Sequence, residues 1–271
     1  MYSRLRFASS LLILTALSSA ALAQTQPQFA AGTKITVNPE IAATAGEQLK
    51  RARQKIYALK NIEDTRERMI AALDAMSNLA VIPQRWPHDT DAVLESYLLQ
   101  GDVALGQSMP RNAVDALKAA LPRSGKTRYY VPVEQKLALA HERLGDAAAA
   151  EAHLLAAERS PEFRSHPHAP AVLQQLGMLY SRTNRPREAM NRFRAAADLP
   201  GQGREGARAS YLIAALKEAV RLSDDPDRVA AKAVARDAER ALAQARKGKQ
   251  DPRNLSGADD DLMDLKKKFG L

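Results

Sequence analysis

The amino-acid sequence predicts an all-α protein built as a stacked array of antiparallel helical hairpins. One pattern of small and large residues occurs three times, with steps of 12, 4 and 3 residues. Its members are Gly101, Ala113, Leu117 and Ala120, then Ala138, Ala150, Leu154 and Ala157, then Gly177, Ala189, Phe193 and Ala196. A repeat of this length is typical of a helical array in which each unit buries its apolar face against its neighbours. No segment shows the alternating pattern of a strand.

The spacing has a packing explanation. Antiparallel helices approach closely only where side chains are small, so Gly101, Ala138 and Gly177 are predicted where the two helices of each hairpin cross. The alanines 12 residues later are predicted to face them, and the large residues beyond to fill the space between hairpins. Gly145 and Asn184 stand between the helices, where a helix end favours a left-handed backbone.

These residues resemble the tetratricopeptide repeat family. The best match is the third repeat, through Leu176, Gly177, Tyr180, Asn184, Pro186, Ala189, Phe193 and Ala196. The second repeat has His141 where the family has an aromatic residue. His141 is therefore expected to be a packing residue. The resemblance covers about residues 90–200. It implies a right-handed superhelical α-solenoid that binds partners, and it leaves the partner open because the fold is widely reused.

The repeats are longer than those of the family. Family repeats contain 34 residues, whereas the equivalent small residues here lie 37 and 39 positions apart. The extra residues are expected in two connecting loops, from Pro122 to Pro132 and from Ser160 to Pro170.

The first residues have the features of a secretory signal peptide. Arg4 and Arg6 precede an apolar run at 11–17, and a small-x-small triplet ends at Ala23. Residues 1–23 are therefore predicted to be removed by cleavage after Ala23. An uncleaved anchor is the alternative, although the run is shorter than the ~20 residues that span a bilayer. The polar residues 24–37 are predicted to form a flexible tether.

Composition restricts the environment and the partner. The chain has no cysteine, which argues against disulfides, thiolate catalysis and lipid attachment to cysteine. With the leader and the Ala- and Arg-rich composition, this predicts a periplasmic protein. The net charge is +9, and without Arg4 and Arg6 it is +7, so anionic partners are expected. Export and an aromatic content of 5% argue against nucleic acid.

Residues 38–248 are predicted to form the repeat domain, with the clearest repeats at 94–122, 131–160 and 170–199. Before them, one helix is expected to begin at Asn38, with an apolar face that starts at Ile41, and a second helix at Asn61. This hairpin is expected to cap the array, and residues 82–91 to connect it to the first repeat. A longer hairpin, whose second helix begins at Asp225 and ends near Gly248, is expected to close the array.

Residues 249–271 are predicted to form a mobile tail with a possible short helix. The segment 249–258 is loop-like, whereas 259–269 has acids at its start and lysines near its end, which suits the helix dipole. Leu262, Leu265 and Phe269 share one face of this helix. Docking on the last hairpin is the alternative to mobility.

The groove formed by the first helices of the second and third repeats is the predicted binding surface. The resemblance assigns to it Gln135, Leu139, Glu142 and Arg143, together with Gln174, Met178 and Arg182. Apolar Leu139 and Met178 flanked by Arg143 and Arg182 suit a peptide or helix with an apolar stripe and an acid. The carboxylate clamp that some family members use is absent, because Leu98 and Asp102 stand at its first positions.

The sequence therefore predicts an adaptor that binds another envelope protein or peptide, in the assembly or maintenance of an envelope complex. A subunit that regulates an enzyme fits the same residues, and an ordinary solvated face is the simplest alternative for the groove. A different class of function is binding of anionic envelope polymer or lipid through surface arginines. The arginines concerned are Arg182, Arg185, Arg187, Arg192 and Arg194.

Catalysis and metal binding have little support in the sequence. It contains no His-Glu-x-x-His, no phosphate-binding glycine loop and no Gly-x-Ser-x-Gly motif, so no enzyme and no cofactor are predicted. His166 and His168 flank a proline, and Glu162 is the obvious third ligand if this loop held a transition metal. A polar loop without a metal is the preferred interpretation.

Overall fold

The computed structural model of the chain describes residues 39–200, 205–221, 225–247 and 253–269. Every regular element in these ranges is helical, which confirms the predicted all-α class, and the ranges contain no strand. The predicted signal peptide at 1–23, the tether at 24–37 and Asn38 lie outside the described residues. No helix in the described part of the chain has the length and apolar character that a membrane span requires.

The chain forms two compact units that divide between Tyr129 and Tyr130. The sequence predicts one repeat domain over 38–248, which stays a prediction. The division falls between the first and second predicted repeats, in a connection where the spacing exceeds the family length. The first recognisable repeat and the other two therefore belong to different units.

The first unit consists of helical pairs. Its helices are α1 (Ala45–Ala58), α2 (Thr65–Ala80), α3 (Ile82–Arg85), α4 (Thr90–Gly106) and α5 (Pro110–Ser124), with a 3-10 turn at Leu59–Asn61. α1 packs on α2, and α4 packs on α5. Leu49, Leu79, Ile82 and Val93 share an apolar core that joins α1 to α4. The predicted connection at 82–91 thus contains a short helix that contributes to this core.

The second unit continues the pairwise packing. Its helices are α6 (Tyr130–Arg143), α7 (Ala147–Glu158), α8 (Ala169–Arg182), α9 (Pro186–Ala197), α10 (Glu205–Val220), α11 (Asp225–Lys247) and α12 (Arg253–Phe269), with a 3-10 turn at Phe163–Ser165. α6 pairs with α7, α8 with α9, and α10 with α11, while α9 also packs on α10. One buried apolar cluster extends from Val131 on α6 to Leu265 on α12. Burial shared between neighbouring hairpins is what a helical array requires.

α1 begins later than the sequence predicts, at Ala45 instead of Asn38. The Thr44 hydroxyl accepts a hydrogen bond from the N–H of Glu47 at 3.2 Å, and the Glu47 carboxylate accepts one from Ala43 at 3.2 Å. This exchange is close to a capping box, which stabilises a helix start more strongly than a single cap. Ile41 lies before the helix and is 53% exposed, so it does not begin the apolar face.

α2 also begins later than predicted, at Thr65. Its N-cap is Asp64 instead of Asn61, because the Asp64 carboxylate accepts a hydrogen bond from the N–H of Glu67 at 2.7 Å. Asn61 ends the 3-10 turn that follows α1. A carboxylate at the N-cap also interacts favourably with the helix dipole, which an amide cannot match.

The predicted small residues do lie where helices approach most closely. A Cβ atom built on Gly101 would lie 2.9 Å from the side chain of Leu117, and one built on Gly177 would lie 2.6 Å from Cε1 of Phe193. In the first and third repeats the large residue therefore closes over the glycine of its own hairpin. The structure thus places Leu117 and Phe193 inside their own hairpins, whereas the sequence predicts the large residues between hairpins.

The turn inside each of the three repeats has the same geometry. Ser108, Gly145 and Asn184 adopt left-handed backbones, with φ of 57°, 80° and 58°. The following N–H bonds the carbonyl five residues earlier, from Met109 to Ala104 at 2.8 Å, from Asp146 to His141 at 2.9 Å and from Arg185 to Tyr180 at 2.8 Å. This is the Schellman end of an α-helix. The predicted left-handed backbone at Gly145 and Asn184 is confirmed, and Ser108 adopts the same conformation.

Two connections are shorter than predicted. α5 continues through Pro122 to Ser124 and α6 begins at Tyr130, so most of the predicted loop from Pro122 to Pro132 is helical. α12 begins at Arg253, six residues before the predicted start of the tail helix at 259.

The tail helix is packed on the rest of the second unit. α12 contacts α10 and α11, and Leu262 and Leu265 are buried. Asp261 bonds Lys217 at 2.7 Å, and ion pairs also join Asp259 to Arg246 and Lys266 to Glu239. Burial of two leucines explains why this segment docks as a longer helix instead of forming the predicted mobile tail. The side chain of Phe269 lies outside the described residues.

Candidate functional site

The predicted groove residues lie on two neighbouring helices of the second unit. Gln135, Leu139, Glu142 and Arg143 belong to α6, and Gln174, Met178 and Arg182 belong to α8. Arg182 Nη2 donates to Glu142 Oε2 at 2.8 Å, and His168 Nδ1 lies 2.6 Å from Gln135 Oε1. These two contacts join α6 to the two ends of α8.

The α8 residues form a row on one face of the helix. Gln174, Met178 and Arg182 follow one another at four-residue steps, which brings successive side chains to the same side. All three are exposed, and Met178, which is 39% exposed, is one of the few exposed large apolar side chains among the described residues. The buried residues Leu176, Leu179 and Tyr180 occupy the other side of α8. The α8 row is therefore a solvent-facing surface with an apolar centre.

On α6 the predicted residues are less accessible. Leu139 is half-buried, and the Glu142 side chain is 12% exposed. Arg143, at the end of the helix, is exposed. The α6 side of the site thus presents mainly Arg143 and part of Leu139 to a partner.

A pocket of about 370 Å³ lies between the ends of α6 and α8. It is lined by Glu142, Arg143, Gly145, Ala147, Leu179, Arg182 and Thr183. It brings together three of the predicted groove residues, whereas Gln135, Leu139, Gln174 and Met178 do not line it. Its other walls come from the turn between α6 and α7 and from the end of α8. Sequence reasoning missed these residues, although the left-handed Gly145 and Asn184 mark both helix ends.

The charge of the pocket is partly balanced from within. The sequence predicts that Arg182 pairs with an acid of the ligand, but its guanidinium already bonds Glu142. Glu142 needs this contact because a nearly buried carboxylate without a cation would be strongly destabilising. The second carboxylate oxygen of Glu142 is buried and accepts no hydrogen bond from the described residues. The charged residues that line the pocket are two arginines and one glutamate.

The arginine cluster of the third repeat is largely engaged by glutamates, most of which belong to the second repeat. Arg185 bonds Glu151 at 2.8 Å and Glu188 at 3.0 Å, and Arg192 pairs with Glu158. With the Arg182 pair, three of the five arginines hold α8 and α9 against α6 and α7. These pairs reduce the positive charge that the cluster can offer to an anionic polymer.

Tyr180 completes the contact between the hairpins. Its hydroxyl donates to Glu151 at 3.0 Å, and the Arg185 guanidinium lies 4.1 Å from its ring centre. Burial, and then the hydrogen bond to Glu151, raise the pKa of the Tyr180 phenol. The hydrogen bond from Arg185 lowers the pKa of the Glu188 carboxyl. Tyr180, Arg185 and Glu151 therefore act as a joint between repeats.

The histidines have packing and hydrogen-bonding roles. His141 stacks on His153 with ring centres 5.3 Å apart, in keeping with its predicted packing position, and His153 Nδ1 lies 2.7 Å from Glu134 Oε2. His166 Nδ1 accepts from the N–H of His168 at 3.1 Å. Among the described residues, no group of three or more His, Cys, Asp or Glu side chains is arranged to hold a metal ion.

Comparison with known proteins identifies the fold. No protein-family model matches this chain, and no curated protein matches it. Solved structures do match, among them BtubC from P. vanneervenii, with a TM-score of 0.56 and 16% identity over 76% of this chain and 91% of that chain.

Two other solved structures are similar. PilF from Pseudomonas aeruginosa has a TM-score of 0.50 and 16% identity, covering 83% of this chain and 90% of that chain. MamA has a TM-score of 0.50 and 14% identity, covering 65% of this chain and 92% of that chain. All three proteins contain tetratricopeptide repeats. This chain therefore has the tetratricopeptide repeat fold.

Proposed function

We propose that this chain of tetratricopeptide repeat fold is an interaction adaptor that binds a peptide or helix of another envelope protein along α6 and α8. The observation that carries the proposal is the α8 row, in which Gln174, Met178 and Arg182 are exposed in succession beside the pocket. Helical arrays use such surfaces for extended ligands, which contact several repeats at once.

Met178 would be the apolar anchor of the interface. A partner side chain that covers it removes apolar surface from water at roughly 25 cal/mol per Å². Leu139 on α6 would contribute less, because most of it is already covered by the protein. A few such anchors dominate the energy of most interfaces.

Arg143 would recognise an acidic group of the partner. It is exposed and lines the pocket, and a guanidinium binds a carboxylate with two parallel hydrogen bonds. Arg182 already bonds Glu142, so it would share its remaining donors with an incoming carboxylate.

We further propose that the adaptor works in the periplasm, in the assembly or maintenance of an envelope complex. The support is the order of features at the start of the sequence: two arginines, an apolar run and a small-x-small triplet that ends at Ala23.

Crosslinking in cells tests the proposal. A photo-reactive residue at Gln174 should capture one saturable protein partner, and Arg143→Glu with Met178→Glu should abolish capture. Arg182 is left unchanged, because a glutamate there would meet Glu142 and disturb folding. The yield of the crosslinked product, with the partner identified by mass spectrometry, is the measurement.

A matched control replaces an arginine and a methionine outside this surface. Arg159 and Met263 are exposed, and Met263 is 70% exposed on α12. Arg159→Glu with Met263→Glu should leave capture intact, and equal loss in both variants would contradict the proposed site. Sequencing of the protein recovered from the envelope should give Gln24 as first residue, whereas Met1 on a membrane-bound product would mean an uncleaved anchor.

A further inference from the structure

The outward side of α11 carries a row of cations. Lys232, Arg236, Arg240 and Lys247 are all exposed, and their spacing of 4, 4 and 7 residues keeps them on one side of the helix. The opposite side is buried in the core through Ala231, Val234, Ala235, Ala238, Ala241, Leu242 and Ala245. We call the four cations the basic ridge.

The described residues do little to neutralise the charge of the basic ridge. Lys232, Arg236 and Lys247 form no ion pair with another described residue. Arg240 approaches Asp237 at 3.5 Å with 75% of its side chain exposed, and such a surface pair contributes little. Glu239, beside the ridge, is occupied by Lys266 of α12. This distinguishes the ridge from the arginine cluster on α8 and α9, where three arginines bond glutamates.

The shape of the basic ridge favours a flat anionic surface over a protein. Besides its cations, this side of α11 exposes Ala233, Glu239, Ala243 and Gln244, so it offers no large apolar anchor of the kind that protein interfaces need. The ridge is straight, and at 1.5 Å per residue it extends for about 22 Å. Long, flexible cations on a straight ridge can reach the phosphates of a lipid surface together.

We propose that the basic ridge of α11 binds the anionic phospholipid headgroups of a bilayer, independently of the α6–α8 surface. Binding is peripheral, because the ridge has no apolar side chain that could enter the hydrocarbon. It is also sensitive to salt, because the charges are exposed. Each cation near such a surface increases the affinity roughly five-fold, so four together contribute about two to three orders of magnitude.

Co-sedimentation of the whole chain with vesicles tests the proposal. The probes are vesicles of phosphatidylglycerol and phosphatidylcholine in a one-to-two ratio, vesicles of phosphatidylcholine alone, and soluble polyphosphate. The parent should bind the anionic vesicles and lose binding in high salt. The ridge variant, with Lys232, Arg236, Arg240 and Lys247 all replaced by Gln, should bind them at least a hundred-fold more weakly.

A control variant with the same net charge separates the ridge from the overall charge of the protein. Arg159, Arg164, Arg194 and Arg208 are exposed cations on other elements of the second unit, and their replacement by Gln should reduce vesicle binding less than five-fold. Arg236→Lys with Arg240→Lys keeps the ridge charge and should bind like the parent. Far-UV circular dichroism of each variant should match the parent.

Three results would overturn the proposal. The first is equal loss of binding in the ridge and control variants, which would mean that only net charge matters. The second is equal binding to zwitterionic and anionic vesicles. The third is tighter binding to polyphosphate than to anionic vesicles, which would identify a soluble polyanion as the ligand. The groove variant Arg143→Glu with Met178→Glu should keep most of its vesicle binding, so the two proposals fail separately.

Discussion

The α8–α9 hairpin and the α1–α2 hairpin are closed by different kinds of contact. In α8–α9 the Phe193 side chain lies so close to Gly177 that a Cβ atom there would approach it to 2.6 Å. In α1–α2 the buried Gln48 side chain donates to the backbone oxygen of Asn78 at 3.2 Å and to its Oδ1 at 3.1 Å. The α8–α9 hairpin depends on the sizes of two side chains, whereas the α1–α2 hairpin depends on hydrogen bonds between buried amides.

The two contacts leave different traces in the sequence. A small residue and a large one at a fixed separation recur in each repeat and can be recognised as a pattern. Gln48 and Asn78 are residue types that usually lie on the surface, so no pattern indicates that they are buried and bonded to each other. A hairpin closed by size is therefore predictable from sequence, and one closed by a polar network is not.

The largest effect is expected from Gly177→Leu. The added side chain meets the Phe193 ring, and overpacking of this kind should lower the free energy of unfolding by about 3 kcal/mol. Urea denaturation followed by circular dichroism measures the loss. The matched change Gly46→Leu, at a helical glycine with no atom within 4 Å of the added Cβ, should have no cost. Similar stability of the two variants would contradict the size-dependent closure.

A smaller effect is expected from Gln48→Leu. This change removes the acceptor of the Ala42 N–H, which bonds Gln48 Oε1 at 2.8 Å, and the donor to Asn78. Buried polar groups left without partners should cost about 2 kcal/mol in the same denaturation experiment. The double change with Asn78→Leu should recover part of the loss. Additive losses in the double variant would show that the amides do not act as a pair.

The smallest effect is expected at the repeated turn, where Gly145→Ala places a Cβ on a left-handed backbone. The cost should be about 1 kcal/mol, measured as a shift of the urea midpoint. Gly106→Ala serves as control, because this glycine ends α4 without a left-handed backbone and no atom lies within 4 Å of the added Cβ. It should keep or slightly raise stability. A loss as large at Gly106 as at Gly145 would remove the argument from backbone geometry.

The candidate site shows the same limit of sequence reasoning. The four-residue spacing of Gln174, Met178 and Arg182 predicts a shared helix face, and the structure has all three exposed on it. The spacing does not predict that Arg182 bonds Glu142, 40 positions away, or that Leu179 and Thr183 line a pocket. These contacts depend on how far α6 and α8 overlap, which no single helix specifies.

The sequence by itself determined the all-α class, the pairing of the helices within each repeat and the position of the turn between them. These features depend on local quantities: the size of a residue at a helix crossing, and the backbone angle that Ser108, Gly145 or Asn184 must adopt. Only the tertiary structure decided where the chain divides into units and which cations are neutralised. Arg185 and the basic ridge of α11 carry the same kind of charge, but only Arg185 meets the carboxylates of Glu151 and Glu188. Such pairing requires side chains from separate elements to come within about 4 Å, and that distance exists only once the hairpins are stacked.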